Sequence, residues 1–172
     1  MLQVSYRKTS LLLITLAINI VAYAAPKYTP ENTMFAFDLD GVILTWGLQI
    51  FKKPIPGTIA IINKLHQKGY ELSIATNNKH SDVRHYQKKF PKIFNLFKKI
   101  KHSFSGHKKP SLEFFQDYLN RYKTRSKRYI IFIDDRATNI TAARKFADQG
   151  FVAIHFKNPE QLERALIEMK IL

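Results

Sequence analysis

Two carboxylates, Asp38 and Asp40, stand one residue apart at the end of the short apolar run Met34-Phe35-Ala36-Phe37, and Gly41 follows at once. An apolar run of this kind predicts a buried strand, and strand periodicity turns Asp38 and Asp40 to the same side, with Leu39 facing away. Gly41 lets the backbone leave the strand in a conformation that other residues resist. Two acids this close are costly to bury unless a cation or a substrate occupies the space between them. A solvated strand end or a helix cap would give the same Asp-x-Asp, so the pattern needs support from the rest of the chain.

Three further groups supply it. In Thr76-Asn77-Asn78, a hydroxyl and the free N–H groups of a turn suit an anionic oxygen, though a plain turn would read the same way. In Gly106-His107-Lys108-Lys109-Pro110, a lysine just before a helix start can reach an anion, or can simply be solvated. Asp134-Asp135, with Asn139 beyond, closes an apolar run, where burial and mutual repulsion call for a compensating cation.

Alternating elements must position these groups. Apolar runs predict strands over 34–39, 70–75, 100–104, 128–133 and 151–155, the fourth of them buried on both faces. Between them, a helix opens at Pro54-Ile55-Pro56-Gly57, buries Ile61, Ile62 and Leu65, and ends at Gly69. Ser81-Asp82 predicts the cap of a second helix, which Pro91 interrupts. A third starts at Pro110-Ser111 with Leu112, Phe115, Leu119 and Tyr122 on one stripe. A fourth runs from about 137 and stops before Gly150. The last starts at Asn158-Pro159-Glu160-Gln161, a capping box, and buries Leu162, Ala165, Leu166 and Met169. The expected fold is α/β: a Rossmann-like three-layer α/β/α sandwich around a parallel sheet of about five strands. Ligands of such sheets bind beyond the carboxyl ends of the strands, where all four groups fall.

In this order and on one sheet edge, Phe-Asp-Leu-Asp-Gly-Val, Ala-Thr-Asn, Lys-Lys-Pro-Ser-Leu-Glu-Phe-Phe and Ile-Asp-Asp-Arg-Ala-Thr-Asn resemble the four motifs of the haloacid dehalogenase-like hydrolase superfamily, over about residues 32–157. The resemblance implies that Asp38 is a nucleophile that forms an aspartyl-phosphate. It implies that Asp40 is the general acid, then the base for water. It further implies Mg²⁺ as cofactor, held by the Asp38 carboxylate, the Asp40 backbone carbonyl and Asp135, with Asp134 in support. Thr76, Asn77 and Lys109 would bind the phosphoryl group, with Lys108 as the rival lysine. Asn139 stands where many relatives carry an acid. Relatives that are dehalogenases lack the second acid, so Asp40 favours phosphoryl transfer. The intervals 41–72 and 77–108 hold 32 residues each, too few for a separate cap domain, which leaves the site open to large substrates or to a lid from a partner subunit.

The first residues read differently from the rest. Arg7 and Lys8 precede 17 residues without charge, 9–25, ending near Ala22-Tyr23-Ala24. This is the layout of a signal peptide cleaved after Ala24, giving a signal segment over 1–24 and a hydrolase domain over 25–172; an uncleaved membrane anchor is the alternative. The expected location is periplasmic or secreted. With no cysteine in the sequence, the core must hold without disulfides.

Against 13 acidic residues stand 28 lysines and arginines, a net charge of +15. Many crowd the interval 79–108, either as a solubilising face or as a funnel for a polyanion such as nucleic acid, phospholipid headgroups or phosphorylated polymers. No nucleic-acid motif accompanies them. The sequence thus points to an exported Mg²⁺-dependent phosphatase acting on a phosphorylated substrate. The alternatives are a non-catalytic anion-binding module of the same fold and a phosphatase of nucleotides or nucleic acid ends.

Overall fold

The computed structural model describes residues 26–101 and 106–172. Its elements in chain order are β1 (Thr33–Phe37), α1 (Pro56–Gln67), β2 (Glu71–Ala75), α2 (His80–Lys89), α3 (Pro91–Phe94), β3 (Lys99–Lys101), α4 (Leu112–Tyr122), β4 (Tyr129–Asp134), α5 (Ala137–Arg144), β5 (Phe151–His155) and α6 (Pro159–Glu168). The five strands form one parallel sheet in the order β3-β2-β1-β4-β5. No separate cap is evident among the described residues, and the expected Rossmann-like fold is the one observed.

The layers follow from period-two alternation in the central strands. Phe35 and Phe37 of β1, with Ile131 and Ile133 of β4, face a cluster completed by α1, α2 and α6. Met34, Ala36, Ile130 and Phe132 face the other side, against α4 and α5. β1 pairs with β2 and β4 on either side, placing Phe37 opposite both Ile74 and Ile133. The first strand therefore ends at the middle of the sheet, and whatever follows Phe37 stands between the ends of its two neighbours.

Several local expectations are corrected. β1 stops at Phe37, so Asp38 and Asp40 lie beyond the ladder; only the Asp38 N–H continues it, donating to the Ile133 carbonyl at 2.8 Å. The N-cap of α2 lies two residues before the expected Ser81: it is Lys79, which supplies no side-chain cap, while Asp82 sits in the first turn. The Thr76 hydroxyl accepts from the Asn78 N–H at 3.1 Å, turning the chain directly out of β2. On α4 the Ser111 hydroxyl caps by accepting from the Phe114 N–H at 3.3 Å, but Leu112, at the first helical position, is exposed. The buried stripe is Phe114, Phe115, Tyr118, Leu119 and Tyr122. α5 ends at Arg144, and a 3-10 turn, Ala147–Gln149, completes the path to Gly150. The third strand is Lys99–Lys101, and the rest of its expected span, 102–105, lies outside the described residues, as does the segment 1–25. Of the last helix's expected stripe, Leu162 and Leu166 are buried and Ala165 and Met169 are half-buried.

Candidate active site

Residues 38–55 leave β1 and return to α1 through a tight crossing. Gly41, at φ +80, donates to the Leu44 carbonyl at 2.7 Å, and Leu44 bridges to both Asp40 and Pro54. Any Cβ at position 41 would fall onto Asp135 Oδ2 and Trp46 Nε1, so glycine is needed for close approach as well as for its dihedral. This crossing brings the residues after β1 against those after β4.

The resulting cavity, of about 180 Å³, lies at the carboxyl edge of the sheet and is lined by polar groups, among them Asp38, Asp40, Thr76, Lys109 and Asn139. Lys109 is buried and forms its centre: its ammonium lies 2.9 Å from Asp38 Oδ1 and 2.6 Å from Asp134 Oδ2. Lys108 is exposed. Asn77 fixes the lysine's backbone by accepting from the Lys109 N–H and donating to its carbonyl, each at 2.8 Å. Asp134 is fully buried and saturated: Asn139 donates to both its oxygens, at 2.9 and 3.0 Å, and the Arg136 N–H to one, at 2.9 Å. Here an amide at position 139 is the fitting residue, because a carboxylate would face Asp134 as a like charge.

Burial drives the Asp38 carboxyl up to about 6, against the pull of Lys109 and with a further push from Asp134. Asp38 and Asp134 thus share the single ammonium of Lys109. Asp38, Asp134 and Asp135 each offer a carboxylate oxygen within 4.8 Å of one another, and among the described residues Asp135 Oδ1 is buried with no hydrogen-bond partner. An oxygen-only set with one orphaned anionic oxygen fits a hard divalent cation. The side chain of Asp40 stands outside this group.

Four residues complete the site: Lys52 and Trp46, to which the sequence patterns gave no role, and Asn78 and Arg136, which lie in the motif groups but were given no role of their own. The buried Lys52 ammonium lies 2.5 Å from Asp40 Oδ1, and Asn78 donates to Asp40 Oδ2 at 3.1 Å. Trp46 donates from Nε1 to Asp135 Oδ2 at 2.9 Å, and the Arg136 guanidinium lies 5.0 Å from the centre of its ring. Being the sole tryptophan could have flagged Trp46. Nothing separates Lys52 from the other lysines before the chain folds.

The described residues thus define an α/β protein with an acid-rich pocket, built around Lys109, beyond the strands of a parallel sheet. The profile described as "Haloacid dehalogenase-like hydrolase" matches residues 45–149, a span that includes Trp46 and the Asp134-Asp135 pair but not Asp38 or Asp40. The chain belongs to that family and is a hydrolase of its superfamily. A Mycoplasma pneumoniae protein provisionally named a phosphatase is 33% identical over 55 residues, covering 32% of this chain and 18% of that protein's length. Among solved structures, a hydrolase of the same superfamily from Ehrlichia chaffeensis superposes with a TM-score of 0.63, at 14% identity, covering 83% of this chain and 100% of that one. A Bacteroides thetaiotaomicron enzyme of the family, solved in complex with magnesium and inorganic phosphate, gives a TM-score of 0.59 at 15% identity, covering 74% and 95%. At such identities these two show the shared fold.

Proposed function

We propose that this hydrolase is an Mg²⁺-dependent phosphatase with Asp38 as nucleophile and Asp40 as general acid and base. The observation that carries the reading is that Asp38 and Asp40 line one small polar cavity while bound to different cations, Lys109 and Lys52. Each acid is thereby positioned for its own task. The provisional phosphatase name of the Mycoplasma pneumoniae relative supports the same reaction class.

An Asp38 oxygen attacks phosphorus, and the bond from phosphorus to the ester oxygen breaks as the new one forms. Asp40 gives its proton to that departing oxygen. The ionised Asp40 then takes a proton from water, whose oxygen attacks the same phosphorus and releases phosphate and the free Asp38 carboxylate. Lys109 holds the Asp38 carboxylate in place and neutralises charge on the transferring group. The Thr76 hydroxyl oxygen accepts from the Asn78 N–H and Nδ2, each at 3.1 Å, which leaves its own proton to donate to a phosphoryl oxygen. The Asn77 side chain is engaged with Lys109, so its share of phosphate binding falls to its backbone N–H. Asp38, Asp135 and the Asp40 carbonyl would hold Mg²⁺, with Asp134 behind them. When bound, the ion supplies the positive charge that the buried acids lack.

The test is a panel of phosphoesters incubated with the purified protein, with Mg²⁺ and with chelator. Phosphate release that needs the metal and disappears in Asp38→Asn is the expected result. Release that is unaffected by chelation, or that survives in the variant, would refute it.

A further inference from the structure

We propose that the loop over 46–51 is a membrane-contact element that seats the mouth of the active-site cavity on an anionic lipid surface. Four of its six residues are large and apolar, and all face solvent: Trp46 is 54% exposed, Leu48 71%, Ile50 65% and Phe51 68%. Elsewhere among the described residues, Leu112 and Ile167 are comparably exposed, but each stands alone. Single exposed apolar residues are ordinary, whereas a contiguous group marks an interaction surface. The 3-10 turn Gln49–Phe51 at the end of this loop buries none of its side chains.

The loop is braced at both ends. Trp46 is tied to Asp135 and lines the cavity. The Lys89 ammonium of α2 donates to the Ile50 carbonyl at 2.9 Å, and Gln49 reaches Asp82 at 3.5 Å. The apolar tip therefore has a fixed place beside α2, whose exposed Arg84, His85, Lys88 and Lys89 face a single acid in that helix, Asp82. Lys79 before the helix and Lys53 after the loop are exposed as well.

An apolar wedge rimmed by cations matches an anionic bilayer, where the wedge enters the acyl boundary and the cations meet the headgroups. A nucleic acid would use the cations and could stack a base on Phe51, but would leave Leu48 and Ile50 nothing to bury against. A second copy would cover the apolar tip while bringing together two chains of charge +15. Charge complementarity thus selects the lipid surface. The proposal stands apart from the catalytic reading, since it needs no turnover to be tested.

Trp46 is the chain's only tryptophan, so its emission reports on this loop whatever the other segments do. The full chain is titrated with vesicles of phosphatidylglycerol and phosphatidylcholine, and with phosphatidylcholine alone. The expected result is a shift of emission to shorter wavelength, with protection from an aqueous quencher, on the anionic vesicles only and weakening with salt. In Leu48→Ser/Ile50→Ser/Phe51→Ser, roughly 100-fold more lipid should be needed for the same shift. Arg84→Gln/Lys88→Gln, which changes only exposed side chains, should cost roughly five-fold per charge removed. Emission indifferent to anionic vesicles would overturn the proposal. So would emission already shifted in buffer together with a dimer in sedimentation, which would make the loop a contact between copies, or a shift induced by an oligonucleotide and not by vesicles.

Discussion

Asp38 carries the sharpest consequence at the scale of single residues. Its carboxyl rises from an ordinary 3.8 to about 6, mainly through burial. Because the folded value is the higher one, its contribution to stability is complete below about pH 4 and is lost as pH rises through 6. At 1.36 kcal/mol per unit, ionised Asp38 costs the metal-free protein at most about 3 kcal/mol at neutral pH. Asp38→Asn removes that cost. Without divalent cations, the melting temperature of the variant relative to the native chain should climb between pH 4 and pH 7, and Mg²⁺ should raise the native chain more than the variant. A difference that does not change with pH would contradict the assigned burial cost. For Asp40, loss of general acid–base work predicts that Asp40→Asn slows alkyl ester hydrolysis by about 10²–10⁴. Aryl phosphates, whose leaving groups hardly need a proton, should lose much less. Equal losses for the two ester classes would remove the acid role.

At the scale of elements, the crossing after β1 is the part most exposed to a small change. Gly41→Ala places a methyl group on Asp135 Oδ2 and Trp46 Nε1 at a backbone angle that alanine resists. The variant should keep its helix and strand content, since neither core cluster includes the position, but should lose Mg²⁺ affinity and most activity. Near-native metal affinity in titration calorimetry would show that Asp135 is free to move aside. The elements themselves were legible in the sequence wherever an apolar period met a turn signal, as in the Phe151–His155 strand and the Asn158 cap. Legibility failed at α2 and at Leu112. The start of α2 was set by the turn off β2, whereas α4 starts at its expected Ser111 cap and only Leu112, in the first turn, falls outside the buried stripe. The four motif groups could be read because their spacing in sequence survives as neighbourhood at strand ends. Lys52 and Trp46 come from the crossing loop, and their partners, Asp40 and Asp135, were assigned without them. Their contacts depend on a loop path that composition does not specify.

The whole molecule is a strongly basic hydrolase with no evident cap among its described residues, and on that ground we propose that its substrates are presented on a larger body. No helix among those residues is long and apolar enough to cross a membrane. We propose export through residues 1–24, on the strength of Arg7-Lys8, the uncharged run and Ala22-Tyr23-Ala24. Expressed with its native start in a bacterial host, the protein should show by intact mass a chain beginning at Ala25, and Ala24→Leu should retain the longer form at the membrane. A full-length chain confined to the cytosol would refute export.

In the proposed reaction, phosphorus passes through Asp38. Mixing excess protein with a phosphoester substrate and Mg²⁺, quenching in acid within a turnover and mapping peptides by mass spectrometry tests it most directly. A phosphate adduct, labile to hydroxylamine, is expected on Asp38, and none in Asp38→Asn. An adduct on another side chain, or turnover by Asp38→Asn within a few-fold of the native rate in protein freed of deamidated material, would contradict it.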